Sequence, residues 1–434
     1  MGSIPAIQFI PSLKFQFPTN RGSVTKDVPF SIRLAVKNVG GLDTGHVVNS
    51  TGNYQAAPQQ LDSSGLIQGH TAVVIESLSA MDQTTVPDPR LFKFAASLVD
   101  SAPAGVLSFN VSQGLKEGVY RLSSVTTGSN FQSIVLPVPD HGAIDDAVYF
   151  TVTADGTPAT LAQQSIVRDS LISPRQTGNT TASTSDNAAQ NLTTLLVSQI
   201  ATSFANDGRD KTRDSVITPS LTSSNNFINY CLTVSANLTN GQQRRSGGSS
   251  CNPIPIGAIP SSDATPSFKF ASPKNFDRLD PGKPFMIKLN YKNMVISMTD
   301  PRIRYLSAPQ RLDSNGMIRG YARVVIEALT SLNQTNPTDP TRIAYASPMI
   351  DKEGNGTLAV NATNGLPVGF YRLSSIALTE NHYPIALPVY QHGANNDVIY
   401  FQVGDGGSGS TAANSISIFA DEQPTSTSVG QPLL

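Results

Sequence analysis

Residues 54–78, YQAAPQQLDSSGLIQGHTAVVIESL, recur as YLSAPQRLDSNGMIRGYARVVIEAL at residues 305–329. The match runs without a gap from Tyr54 and Tyr305 to Val152 and Val403, with about 44 of 99 positions identical, so one unit is written twice. Upstream, PSLKFQFPTN from Pro11 aligns with PSFKFASPKN from Pro266 at an offset of 255 instead of 251. The four-residue difference falls between Asn38 and Tyr54. A segment that absorbs a deletion while its flanks stay aligned reads as a surface loop.

Within each copy, short alternating or apolar runs are separated by turn residues. Copy 1 has FSIRLAV, GHTAVVIESL, GVLSFNVS, GVYRLSSVTT and DAVYFTV, and copy 2 repeats the order with FMIKLNY, GYARVVIEAL, GTLAVNAT, GFYRLSSIAL and DVIYFQV. None of these has helical periodicity. The fold class read from them is all-β, with each copy an immunoglobulin-like or related two-sheet β-sandwich of seven to nine strands. Copy 1 is placed at 11–153 and copy 2 at 266–404. Between them, 154–265 reads as a long, mostly disordered polar linker, and 405–434 as a disordered tail.

One stretch of the linker, SDNAAQNLTTLLVSQIATSFANDG, has Asp186 in a capping position and Leu192, Leu195, Leu196, Ile200 and Phe204 near one helical face. A short helix and an unstructured segment both stay open. The linker also holds both cysteines, Cys231 and Cys251. A disulfide closing that loop would stabilise it by roughly 3 kcal/mol in an oxidising compartment. In a reducing one they would be two thiols, too few for a structural zinc site.

The chain carries 30 Lys and Arg against 31 Asp and Glu, a formal charge of -1, which argues against nucleic acid as a partner. No run approaches the roughly 18 apolar residues of a membrane span. MGSIPAIQFIPSLKF at the start has no basic region followed by a continuous apolar one, so no signal peptide is visible. Glycine loops for phosphate, HExxH, GxSxG and calcium-loop spacings are missing, and no cofactor is expected.

Residues held in both copies are the informative ones. PVPDHGAIDDAVYF and PVYQHGANNDVIYF share His141/His392, Asp146/Asp397 and Tyr149/Tyr400. A histidine and an aspartate flanking a turn glycine either present a ligand site or satisfy the turn itself. Glu76/Glu327, in VVIE-x-L, falls by alternation on the face of Val74 and Leu78 and needs a partner if that face is core. Arg121/Arg372, in YRLSS, is the candidate, giving a structural ion pair rather than a catalytic one. His70 becomes Tyr321, and His382 stands where copy 1 has Phe131, which leaves too few shared histidines for a metal site. Eight N-x-S/T sequons occur, and those at Asn110 and Asn361 are equivalent positions, which points to glycosylation.

APQQL-D-x-x-G-x-I-x-G, VVIE-x-L, GxYRLSS and PV-x-x-HG-x-x-x-D-x-x-YF together resemble a family of fungal secreted proteins with no assigned biochemical function. The resemblance covers both copies but not the linker or tail. It implies an extracellular or cell-wall location and cell-wall or host-surface components as partners. The duplication, the missing leader and the loss of His70 in copy 2 are departures from the pattern. The expected function is a non-catalytic structural, adhesive or ligand-binding tandem module, in which two heads on a linker of about 110 residues engage two sites at once. The alternative is a secreted hydrolase or lyase using the shared His, Asp and Glu positions.

Overall fold

A computed structural model describes residues 4–40, 61–98, 105–128, 131–157 and 256–405 apart from 307, 355, 390 and 391. It also describes residue 59, residues 416–417 and short stretches of the linker. Copy 1 comprises β1 (Ser12–Phe17), β2 (Ser23–Thr25), β3 (Phe30–Lys37), β4 (Val39–Gly40), β5 (Ile67–Leu78), β6 (Phe94–Leu98), β7 (Val106–Val111), β8 (Gly118–Gly128) and β9 (Ala147–Thr153). A small sheet orders β1-β3-β7 and a large one orders β2-β9-β8-β5-β4, with β6 added on β5.

After β10 (Asn237–Leu238), β11 (Ser250–Asn252) and β12 (Gly257–Ile259), copy 2 follows. It comprises β13 (Ser267–Ser272), β14 (Arg278–Leu279), β15 (Phe285–Lys292), β16 (Met294–Ile296), β17 (Ile318–Leu329), β18 (Arg342–Ile343), β19 (Tyr345–Met349), β20 (Lys352–Gly354), β21 (Thr357–Ala362), β22 (Gly369–Thr379) and β23 (Val398–Val403). Its sheets order β13-β15-β21-β20 and β14-β23-β22-β17-β16, with β19 on β17. The fold is all-β in two like sandwiches, and copy 2 adds the four-residue helical turn Pro301–Arg304, whose aligned positions in copy 1 lie outside the described residues.

Each sandwich closes its own apolar interior. In copy 1, Leu13, Phe15, Ile32, Leu34 and Leu107 of the small sheet meet Val73, Ile75, Leu122, Val148 and Phe150 of the large one. These residues alternate along their strands, as a half-buried sheet requires. The intervening residues of the large sheet are buried as well: Val74, Glu76, Leu78, Arg121 and Tyr149 are all at most 6% exposed. What covers that second face is the other copy. Leu78, Val119 and Tyr149 pack with Phe276, and Ala147 packs with Val398 and Tyr400.

The expectation of two separate heads is corrected by this contact: the large sheets lie face to face and the copies form one body. The retained glutamine of the APQQ motif is also explained. Gln59 bonds both ways to the backbone of Val135, and Gln310 does the same with Ala386.

The described stretches of the linker bear on the helix that the sequence left open. Residues 193–200 and 202–205 carry the 3-10 turns Val197–Gln199 and Thr202–Ala205 instead of one continuous helix, and Leu196 and Val197 are exposed. With Leu196 and Val197 exposed, a helix this short would have little burial to hold it. Asp186 and Cys231 lie outside the described residues, so the cap and the Cys231–Cys251 pairing do too. Within the tail, Ile416–Ser417 forms β24, paired with β18.

Candidate functional site

The two faces that meet are charged, and their charges are reciprocal. Glu76 on β5 stands opposite Arg121 on β8 in register, and Glu327 on β17 opposite Arg372 on β22. Arg121 donates to Glu76 Oε2 at 2.7 Å, and Arg372 to Glu327 Oε2 at 2.7 Å. Each arginine then reaches across: Arg121 Nη1 lies 2.7 Å from Asp397 Oδ1 and Arg372 Nη1 3.1 Å from Asp146 Oδ1. The same aspartates take a lysine from their own copy, Lys14 on Asp146 at 3.0 Å and Lys269 on Asp397 at 2.9 Å. Each also accepts from the other copy's tyrosine hydroxyl, Tyr400 on Asp146 at 2.5 Å and Tyr149 on Asp397 at 3.0 Å.

Two neutral clusters result, each with one lysine and one aspartate from one copy and one arginine, one glutamate and one tyrosine from the other. Burial alone would raise the Asp146 carboxyl, but Lys14 and Arg372 hold it below the usual carboxylate range. Asp397 is held down in the same way by Lys269 and Arg121.

His141 and His392 sit beside these clusters. Each ring donates Nδ1–H to the next glycine's carbonyl, 2.7 Å away, and burial lowers both pKa values, so both are neutral with Nε2 as an acceptor. The glycine that follows is pressed against the other copy. A Cβ on Gly142 would lie 2.5 Å from Glu327 Oε1 and 2.8 Å from the Pro340 Cα, and one on Gly393 would lie 2.5 Å from Glu76 Oε1. The Gly142 amide donates to Pro340 O at 2.7 Å and the Gly393 amide to Pro89 O at 2.5 Å. The HG-x-x-x-D motif is therefore a clasp between the copies. Asp146 and Asp397 do not face a ligand beside their histidines, because both carboxylates are consumed inside the charge clusters.

The histidines instead line a cavity of about 130 Å³ where the copies meet. Thr126, Ile134, Ile144 and Asp145 line it from copy 1, Ile376, Leu387, Val389 and Asn396 from copy 2, and Ile256 and Ile259 from the segment before copy 2. Asp145 accepts from Ser124 Oγ at 2.8 Å and Thr126 Oγ1 at 2.7 Å, yet burial still raises its pKa. Its counterpart Asn396 accepts from the Ala377 amide at 2.8 Å. Among the described residues, no group of three His, Cys, Asp or Glu could hold a metal ion, and no helix is long and apolar enough to cross a membrane.

Three features escaped the sequence reading. Lys14 and Lys269 were one: a lysine kept inside the apolar runs SLKF and SFKF is the signal that finds them. Another is an exchange of partners. His70 packs edge-on to Phe131 at 4.2 Å, while in copy 2 Tyr321 bonds to His382 at 2.7 Å, so histidine and aromatic exchange places between strand and following bend and the contact is kept. The third is an imperfection. Thr338 donates to Glu327 Oε1 at 2.6 Å, whereas copy 1 has Pro87 at the equivalent position and Glu76 Oε1 is buried without a partner. Pro87→Thr is expected to add about 1 kcal/mol in urea unfolding by supplying that hydroxyl. An unchanged midpoint would mean the loop cannot bring it within reach.

These features define the class: a tandem of immunoglobulin-like sandwiches locked face to face by reciprocal buried charges. Residues 13–153 and 268–404 both match the CLU5d N-terminal domain, and the chain belongs to that family. It is 36% identical over 182 residues to Pathogenicity cluster 5 protein d of the fungus Colletotrichum graminicola, a match covering 41% of this chain and 37% of that protein's length. Among solved structures, the fibronectin(III)-like modules of Clostridium thermocellum CbhA align over 90% of this chain and 93% of that one, at 9% identity and a TM-score of 0.17. The native conformation of E. coli alpha-2-macroglobulin aligns over 93% of this chain and 16% of that one, at 9% identity and a TM-score of 0.18. Likenesses this low carry no argument about function.

Proposed function

We propose that the chain is an extracellular or cell-wall-associated fungal protein that acts as a non-catalytic binding module, its two copies working as one head. The cavity between the copies carries this reading, because it exists only where they meet. Two neutral imidazole acceptors, the Asp145 carboxyl and the Asn396 amide give it an acceptor-rich lining on apolar walls. Such a lining suits a hydroxyl-rich terminal group of a cell-wall or host-surface component. The hydrolase or lyase alternative loses its acid/base group, since Arg121 and Arg372 bind Glu76 and Glu327 in the interior. The similarity to a fungal pathogenicity-cluster protein agrees with secretion, as do the exposed positions of Asn110 and Asn361 for glycans. Cys231 and Cys251 would then be paired.

The test has two arms. Mass analysis of culture filtrate from the native host should find the protein with glycan on Asn110 and Asn361. Retention on washed cell-wall preparations should fall at least about tenfold in Val389→Trp, a half-exposed cavity residue whose enlargement fills the space. Equal retention of both forms would remove the cavity from the function.

A further inference from the structure

The two buried charge clusters share an arrangement that an ion pair alone does not require. In each, the lysine ammonium touches both oxygens of its aspartate, Lys14 at 3.0 Å from Oδ1 and Oδ2 of Asp146, and Lys269 at 3.1 and 2.9 Å from those of Asp397. In each, the lysine also donates to a tyrosine hydroxyl within reach of Oδ1 of the same aspartate: Lys14 to Tyr400 and on to Asp146, and Lys269 to Tyr149 at 2.9 Å, whose one hydrogen is shared between Asp397 at 3.0 Å and the Val398 carbonyl at 2.9 Å. The arginine of the other copy bonds that same Oδ1. The second oxygen, Oδ2, instead accepts a backbone amide, from Phe15 at 3.0 Å and from Phe270 at 2.9 Å. Both lysines and both aspartates are at most 1% exposed.

We propose that each copy closes an intramolecular amide in this setting, from Lys14 Nζ to the Asp146 carboxyl carbon and from Lys269 Nζ to that of Asp397, with the tyrosine and arginine of the other copy as the catalytic groups. The proton passes from the ammonium through the tyrosine hydroxyl to Oδ1, leaving a neutral amine beside a neutral acid. The Nζ lone pair then attacks the carboxyl carbon. The developing negative charge falls on Oδ2, where the backbone amide of Phe15 or Phe270 already points. The bond from carbon to Oδ1 breaks, and Oδ1 leaves as water with the relayed proton and the second proton of Nζ. An ammonium and a carboxylate become one amide and one water, so no oxidant, activated ester or net proton is needed.

The lysines and arginines hold the two carboxyls ionised, so the neutral amine and acid are a minor state that condensation draws on, and burial acts in its favour. Burial lowers the Lys14 pKa to about 8 and lowers that of Lys269, which makes the neutral nucleophile accessible. Condensation removes two charges from a dry interior and leaves the Arg–Glu pair balanced. Because Tyr400 and Arg372 come from the opposite copy, the bond in copy 1 forms only after the copies have docked, and the same holds for copy 2. Glu327 and Glu76 are positioning residues that aim the arginines.

The full chain, made in a host without glycosylation and kept reduced, should have an intact mass about 36 Da below that of its sequence, one water for each bond. Digestion should yield branched peptides joining Lys14 to Asp146 and Lys269 to Asp397. Tyr400→Phe, which keeps the ring, should lose only about 18 Da while still unfolding cooperatively. Lys14→Met, whose Asp146 retains Arg372 and Tyr400, should do the same. A folded chain with its full sequence mass after prolonged incubation overturns the proposal. Complete loss of both waters in Tyr400→Phe overturns the relay, and in Lys14→Met it overturns the assignment of the nucleophile.

Discussion

Arg372→Ala is expected to lower the unfolding free energy by about 3–5 kcal/mol, among the largest effects of any single substitution in this chain. The guanidinium is fully buried and holds four partners: Glu327, Asp146, Thr338 and the carbonyl of Ala143. Two of these belong to the other copy, so the loss strikes the joint and the sandwich together. Its removal strands the Glu327 carboxylate at 1% exposure. A lone buried charge is far worse than none, which gives a control. Arg372→Met combined with Glu327→Leu removes the pair at once and is expected to recover most of the loss, since apolar replacement of a buried ion pair is often neutral or better. Urea unfolding of both variants checks this. A double variant as unstable as Arg372→Ala would show that the pair contributes through its reach to Asp146 rather than through charge balance. Arg121→Ala should behave alike, tempered because Glu76 Oε1 is already without a partner.

That joint also marks the limit of what the sequence discloses. The repeat and its alternating runs lead directly to two sandwiches, because alternation reports one covered face and the turns report strand ends. Alternation fails at VVIE, where Val73 and Val74 point to opposite sides and are both buried. An apolar run without alternation means a sheet covered on both faces. The VVI run is therefore the trace of the second copy, though it does not name what covers it. A retained carboxylate and a retained guanidinium on neighbouring strands are legible as neighbours. That Arg121 also reaches Asp397, 276 positions away, is set by docking and leaves no local pattern. The same holds for HG-x-x-x-D. Its glycine looks like a turn residue, and only the nearness of Glu327 and Pro340 explains why no side chain fits there.

Acidification is expected to destabilise the protein before the pH reaches the range in which Asp146 and Asp397 would titrate. Burial lowers the pKa of His70 from 6.5 to about 4 and that of His382 to about 3, and it also lowers His141 and His392. Each ring is held neutral in the fold and protonates freely once unfolded. Above pH 6.5 neither state is protonated and their contribution is complete. As pH falls below 6.5 the unfolded chain takes up protons that the folded one refuses, and stability drops until the folded pKa is reached. For His70 and His382 together the slope approaches about 3 kcal/mol per pH unit, from ~1.4 for each. The clusters act in a different window. Where they remain free carboxylates, Asp146 and Asp397 lie below their ordinary value of 3.8, so their contribution persists until the pH falls past it. Thermal unfolding from pH 7.5 to 4.5 should therefore fall steeply over a range in which neither aspartate, free or condensed with its lysine, takes up a proton. The copies themselves supply the control: His70→Tyr and His382→Phe each install the residue the other copy uses at that position. Together they should flatten the profile between pH 6.5 and 4.5, while an undiminished slope would assign the acid sensitivity to His141 and His392 at the joint.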